Sequence, residues 1–293
     1  MTTGPMMTID PAFDTENRAR FAAVYPELPA KISHTLAGHD LLKLESLVDL
    51  SQRLDPASVE YNAANLPVGV DPGAVRDNGL SIADTIRSIE NNGSWMVIKF
   101  VENDPAYKLL LDEVLGALRP IIESTTGEML TLQGFIFISS PGAVTPFHMD
   151  PEHNILMQIR GEKDFTIFPA IDPDVLSDVE HERYHLGGHR NLPWRDTMAA
   201  KGTTHHLNPG DALHVPVKAP HWIKNGPEVS ISFSVTWRSL WSYREADARG
   251  LNGLMRQIGL SPDGTKRFPH QNLAKSVAYR AIRKAQSVFG VRR

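Results

Sequence analysis

The chain has 293 residues, with 30 Lys plus Arg, 34 Asp plus Glu, 12 His, no Cys and a net charge of −4. That length suits one large domain with appendages, or two domains at most, and 41% apolar with 22% charged residues is ordinary for a globular protein. The missing cysteines exclude a disulfide scaffold, a thiolate zinc site, an iron–sulfur cluster and a cysteine nucleophile, so any metal must sit on nitrogen and oxygen ligands.

The first dozen residues, with Gly4, Pro5 and Pro11, read as a loose leader. Met1 to Asp14 lacks a basic start followed by an apolar stretch, which argues against a signal peptide. No apolar run nears the ~20 residues that cross a bilayer, so a cytoplasmic location is expected. Residues 21–54 carry a helical pattern, with Leu41, Leu42, Leu44, Leu47, Val48 and Leu50 forming an apolar face. Residues 62–80, rich in Asn, Pro, Gly and Asp, read as a long loop. A helix restarts over 81–91, with Ser81 and Asp84 in capping-box-like positions.

A short apolar run at 95–101 leads into a helical pattern over 104–118. Beyond residue 130 the chain turns strand-like, at 132–139, 154–160, 164–169, 212–217 and 229–237. The last is the clearest, alternating Val229, Ile231, Phe233, Val235 and Trp237 with Ser230, Ser232, Ser234 and Thr236. Short strands broken by Pro and Gly indicate a barrel or sandwich, and the helical pattern returns from about residue 245. The expected fold is a mainly β core with flanking helices. It divides into a mostly helical region over 1–90, a strand-rich core over 91–245 and a basic helical region over 246–293.

Nine of the twelve histidines fall between His148 and His221, inside the strand-rich segment. His148 and Asp150 are two apart, so on an extended chain both point to one face. An imidazole and a carboxylate there supply two ligands of a facial triad, with His221 the best source of the third. By itself a His-x-Asp pair is often a surface turn. His181, His185 and His189 recur every four residues, but Gly187 and Gly188 interrupt a helix there and no carboxylate spacing completes a zinc motif. Residues 170–207 therefore read as an insertion between ligand-bearing strands, either a substrate-facing flap or plain surface. His214 alternates with Leu213 and Val215 and reads as a hydrogen-bonded barrel residue.

The stretches TPFHMD (145–150), NILMQIRGEKDFTIFP (154–169) and NPGDALHVPVKAPHWIKN (208–225) resemble the cupin-like JmjC group of Fe(II)/2-oxoglutarate oxygenases, and within it the factor-inhibiting-HIF asparaginyl hydroxylase group. The resemblance covers about residues 130–240. It implies a double-stranded β-helix, or jelly roll, with His148, Asp150 and His221 holding the metal. It also implies that Lys163 and Thr145 bind the distal carboxylate of 2-oxoglutarate, with Asn154 near the metal and Thr236 facing the cosubstrate. Where that group offers a Tyr to 2-oxoglutarate, around residues 95–99, this chain has none; Lys99 or another group takes its place, or the contact is missing.

The residue types suit the chemistry. Two imidazoles and a carboxylate on one face leave three positions of an octahedral Fe(II), two for 2-oxoglutarate and one for O2. A dianionic cosubstrate inside a barrel also needs a buried cation. The resemblance thus implies an Fe(II)- and 2-oxoglutarate-dependent dioxygenase that hydroxylates a protein side chain or small molecule and releases succinate and carbon dioxide. The alternative is a metal-binding cupin acting as a ligand sensor, against which the intact Lys163 speaks.

Residues 266–293 hold eight basic residues and no acidic one, which leaves the rest of the chain at −12. Over 272–289, Leu273, Val277, Ala281, Ala285 and Val288 fall on one side of a helix, with Lys275, Arg280, Arg283 and Lys284 elsewhere. In the resembling group C-terminal helices pair two subunits, so a homodimer through these helices, or packing against the chain's own acidic body, is expected ahead of a membrane surface or nucleic acid.

Overall fold

A computed structural model describes residues 11–63 and 79–288. The first ten residues and most of the expected loop at 62–80 lie outside the described residues.

The helical pattern over 21–54 resolves into two helices separated by a strand. α1 (Thr15–Val24) starts at Asp14, whose carboxylate accepts the Asn17 amide. It stops before Pro26 and Pro29, which cannot donate to a helical ladder. β1 (Ala30–Ser33) follows, then α2 (Leu44–Arg53), whose Leu47, Val48 and Leu50 are buried. β2 (Val59–Ala63) completes this part. The stretch before residue 91 thus contributes two strands as well as helices. α3 (Ile82–Arg87) is capped as its residues suggested, with Ser81 Oγ accepting the Asp84 amide at 3.1 Å.

β3 (Ser94–Lys99), α4 (Pro105–Gly116) and α5 (Arg119–Thr126) lead into the core strands. These are β4 (Met129–Ser139), β5 (Val144–His148), β6 (His153–Arg160) and β7 (Lys163–Ile167), then, beyond α6 (Asp178–His185), β8 (Thr203–Leu207), β9 (Asp211–Val215), β10 (His221–Asn225) and β11 (Ser230–Ser239). They form two antiparallel sheets, one ordered β1-β9-β6-β11-β4-β3-β2 and the other β5-β10-β7-β8. Leu156, Leu213 and Val215 of the larger sheet share a core with Phe165, Ile167, Leu207 and Ile223 of the smaller, so the sheets face one another as in a jelly roll.

β11 lies at the centre of the larger sheet, between β4 and β6, and is buried on both faces. Ile231, Phe233, Val235 and Trp237 pack outward, beneath the N-terminal helices. The Ser row points the other way and is satisfied inside: Ser232 Oγ donates to Gln158 Oε1 and Ser234 Oγ to Asn154 Oδ1, each at 2.7 Å.

α7 (Leu240–Gln257) and α8 (Leu273–Val288) close the described chain. α8 lies along α7, where Gly250 leaves room for the Tyr279 ring, Arg280 Nε donates to Asp247 Oδ2 at 2.6 Å and Lys275 Nζ to Asn252 Oδ1 at 2.8 Å. Leu273, Val277 and Val288 remain exposed. Among the described residues no helix is long and apolar enough to cross a membrane.

Candidate metal centre

His148 ends β5 and His221 begins β10, and the antiparallel register sets the two opposite one another. Their rings lie 4.1 Å apart between centroids. Asp150 follows β5 by two residues, and its Oδ2 is 3.7 Å from Nε2 of each histidine. Among the described residues these three form the one group of His, Asp or Glu whose donor atoms all converge within 4.8 Å.

Backbone carbonyls fix both imidazoles. His148 Nδ1 donates to Pro146 O at 2.7 Å and His221 Nδ1 to Ala219 O at 2.9 Å. Each ring is thereby held in the tautomer that leaves the Nε2 lone pair free for a metal. Burial lowers the pKa of both, His221 to about 3, so both are neutral at pH 7. Phe165 stacks on His221 at 4.9 Å. For Asp150, burial is the largest influence and pushes its carboxyl up; His148, Arg190 and His221 outweigh it and hold the group below the usual carboxylate range.

Arg190 had no sequence signal. Its Nη1 donates to Asp150 Oδ1 at 2.8 Å. It comes from the insertion at 170–207, which runs against β5: Leu192 N donates to Phe147 O at 2.9 Å and Asn191 bridges to His148. Part of that insertion therefore belongs to the candidate metal centre. Its histidines do not: His181 is buried and His185 half-buried in α6, both are lowered well below the ordinary histidine value, chiefly by burial, and among the described residues no third ligand converges with them. His214 lies in the outer core, edge-on to Phe21, with Nδ1 donating to Leu28 O at 3.0 Å.

The three candidate ligands open onto a narrow cavity that Thr145, Asn154 and Lys163 also line. Lys163 starts β7, pointing inward, and only 4% of it is exposed. Among the described residues no carboxylate lies within ion-pair distance of its ammonium, and burial lowers its pKa to about 7. Thr236 is not among the cavity-lining residues: it is buried on the Ser234 face of β11, across the ladder from Asn154, its Oγ1 3.5 Å from Gln133 O. Lys99 is not among them either; its ammonium is 3.3 Å from Glu60, and Trp95 lines the cavity from the same strand. Ser139 and Asn225 also line it, and Asn225 Oδ1 is buried without a hydrogen-bond partner among the described residues. A convergent His–Asp–His face beside a buried ammonium lacking a carboxylate suits a divalent metal together with an anionic ligand.

Residues 84–241, more than half of the chain, match the family model described as a cupin-like domain. Jumonji C domain-containing protein 5 of Drosophila melanogaster is 30% identical over 106 residues, 33% of this chain and 26% of that protein. Lysine-specific demethylase JMJ30 of Arabidopsis thaliana is 27% identical over 128 residues, 42% of this chain and 28% of that protein. These matches thus span about a quarter of the relatives' lengths. Among solved structures, E. coli YcfD aligns with 91% of this chain and 67% of that chain, at 18% identity and a TM-score of 0.49. A structure of YcfD, described as a ribosomal oxygenase, in complex with cobalt and 2-oxoglutarate aligns with 92% of this chain and 67% of that chain, at 16% identity and a TM-score of 0.48. On the extent of the family match, this chain belongs to the cupin-like domain family, with Jumonji C proteins among its relatives.

Proposed function

We propose that the protein is an Fe(II)- and 2-oxoglutarate-dependent dioxygenase that hydroxylates a protein side chain or a small molecule, releasing succinate and carbon dioxide. One observation carries this reading: a single cavity holds both the converging His148, Asp150 and His221 donors and the buried ammonium of Lys163, which has no carboxylate partner among the described residues. A metal-only cupin has no need of that lone cation. When bound, the iron and 2-oxoglutarate supply oxidative decarboxylation coupled to oxidation of a substrate C–H bond.

The chain's own residues bind and orient. His148 and His221 offer neutral Nε2 atoms, kept in that tautomer by Pro146 and Ala219 carbonyls. Asp150 offers Oδ2 while Arg190 holds Oδ1. Lys163, with the Thr145 hydroxyl beside the same cavity, would pair with the distal carboxylate of the cosubstrate, and Asn154 of β6 lines that cavity with its amide oxygen held by Ser234. Phe165 and Trp95 wall the cavity.

The test is purified protein with Fe(II), 2-oxoglutarate and air, with succinate as the readout. The expected outcome is iron-dependent succinate formation that rises when a substrate is added and falls to background in His148→Ala. Iron and 2-oxoglutarate binding without mutual dependence would sink the proposal and favour a sensor. So would turnover under argon without 2-oxoglutarate, which would indicate isomerase or hydrolase chemistry. Formaldehyde release from methyl-lysine peptides would replace hydroxylation by demethylation.

A further inference from the structure

The turn joining β9 to β10 touches two of the three candidate ligands. The Lys218 amide donates to Asp150 O at 2.8 Å, and the Ala219 carbonyl accepts His221 Nδ1 at 2.9 Å. Lys218 itself adopts φ 60°, in the left-handed region that side-chain-bearing residues seldom occupy. Something must hold it there.

Its side chain supplies the hold. Lys218 is completely enclosed, and its ammonium bonds the carboxylate of Glu245 on α7, which is enclosed as well. The other Glu245 oxygen accepts Arg249 Nε, and Arg249 Nη1 reaches Asp178 Oδ1 at the start of α6, at 3.0 Å. Arg267 Nη1 adds a third cation at 4.0 Å. Burial is the largest influence on Glu245 and opposes its charge, but these cations outweigh it and keep the carboxyl well below its ordinary range. Neither Lys218 nor Glu245 lines the metal cavity.

A buried ion pair is a costly way to fill space, since apolar side chains of similar size often do so with equal or better stability. What this pair adds is a fixed point for the ligand-bearing turn, tied to two helices outside the barrel. We infer that Lys218 and Glu245 are positioning residues for the metal centre: their ion pair locks the left-handed turn, so that the Lys218 amide and the Ala219 carbonyl hold Asp150 and His221 in ligating geometry. This rests on the metal-binding reading above.

The experiment is Co(II) titration of the full chain, followed by visible absorption, with circular dichroism to establish folding. K218M/E245Q removes both charges at nearly constant volume and leaves Arg249 an acceptor. It is expected to bind Co(II) about 10- to 100-fold more weakly than the wild type, with an altered visible band, as for other losses of support behind a ligand. K218G accommodates the left-handed backbone but removes the anchor; it is expected to lose affinity in the same sense, and it decides the matter if the double variant does not fold. Wild-type affinity and spectrum in either folded variant would overturn the inference, because a purely structural pair lowers the melting temperature without altering the site of folded molecules. If the wild type itself binds no Co(II), the metal-binding reading falls and this inference with it; wild-type binding with indifferent variants overturns the positioning role alone.

Discussion

A lysine ammonium enclosed in a cavity, with no carboxylate beside it among the described residues, is costly to keep charged. For Lys163 the result is a pKa lowered to about 7 by burial. The unfolded chain keeps this proton to about pH 10.4. The burial penalty is therefore fully present below about pH 7 and is relieved as pH rises from there toward the unfolded value, so this group makes the ligand-free protein more stable with rising pH over that window. A bound dianion reverses the preference and restores the charged lysine. Above about pH 7, 2-oxoglutarate binding should take up a proton, and its affinity should weaken with pH, approaching about tenfold per unit. Calorimetry in buffers of different ionisation enthalpy reads the proton directly. Lys163→Met should bind weakly and without that slope, whereas a flat wild-type profile would remove Lys163 from the cosubstrate site. At this scale the candidate ligands and Lys163 were legible through the family resemblance of their motifs, since spacing alone left His-x-Asp an ordinary surface turn and Lys163 a turn lysine. Arg190 and Asn225 were not, because they reach the site across sheet contacts that have no sequence period.

The short turn joining β6 to β7 places Lys163, and it depends on Gly161. That residue has φ 65°, and a Cβ there would lie 2.4 Å from the Val229 carbonyl oxygen, at the approach to β11. Gly161→Ala should cost about 1–3 kcal/mol through backbone strain and close contact, lowering the melting temperature and also weakening 2-oxoglutarate binding, since Lys163 is two residues on. Gly142→Ala is the control: φ is 70°, but nothing lies within 4 Å of the added Cβ, so a smaller loss is expected. Equal losses would mean that the Val229 contact relaxes away. Element by element, β11 was legible because its alternation is strict over nine residues. β5, β8 and β10 were not. Each is five residues long, β5 is interrupted by Pro146, and β8 and β10 carry histidines or lysine in place of a clean apolar row. The two strands that bear the candidate histidine ligands were thus found through their motif, not their periodicity.

At the scale of the whole molecule, the N-terminal segment is part of the core that the larger sheet needs. Phe13, Phe21, Leu47 and Leu50 pack in the same cluster as Ile136, Phe233 and Trp237. The Tyr25 hydroxyl is hydrogen-bonded to Thr126 Oγ1 at 2.6 Å. β1 pairs with β9 and β2 with β3, so cutting at residue 91 strips the cover from the apolar face of β11 and bares two strand edges. A fragment of residues 91–245 should aggregate, or melt without a cooperative transition, by size-exclusion chromatography and circular dichroism. A folded fragment that binds Co(II) would instead make residue 91 a true domain boundary. By itself the sequence determined the class of the core, the chemistry open to a cysteine-free chain and the identity of the candidate ligands, because alternation, composition and motif spacing are local properties. Only the tertiary structure decided that His148 faces His221 across a ladder, that Arg190 closes on Asp150, that Thr236 sits across the ladder from Asn154, and that a lysine buried on φ 60° ties the turn before His221 to α7. Those facts depend on register and on which distant surfaces bury one another, and both are set by the balance of packing and desolvation over the whole chain.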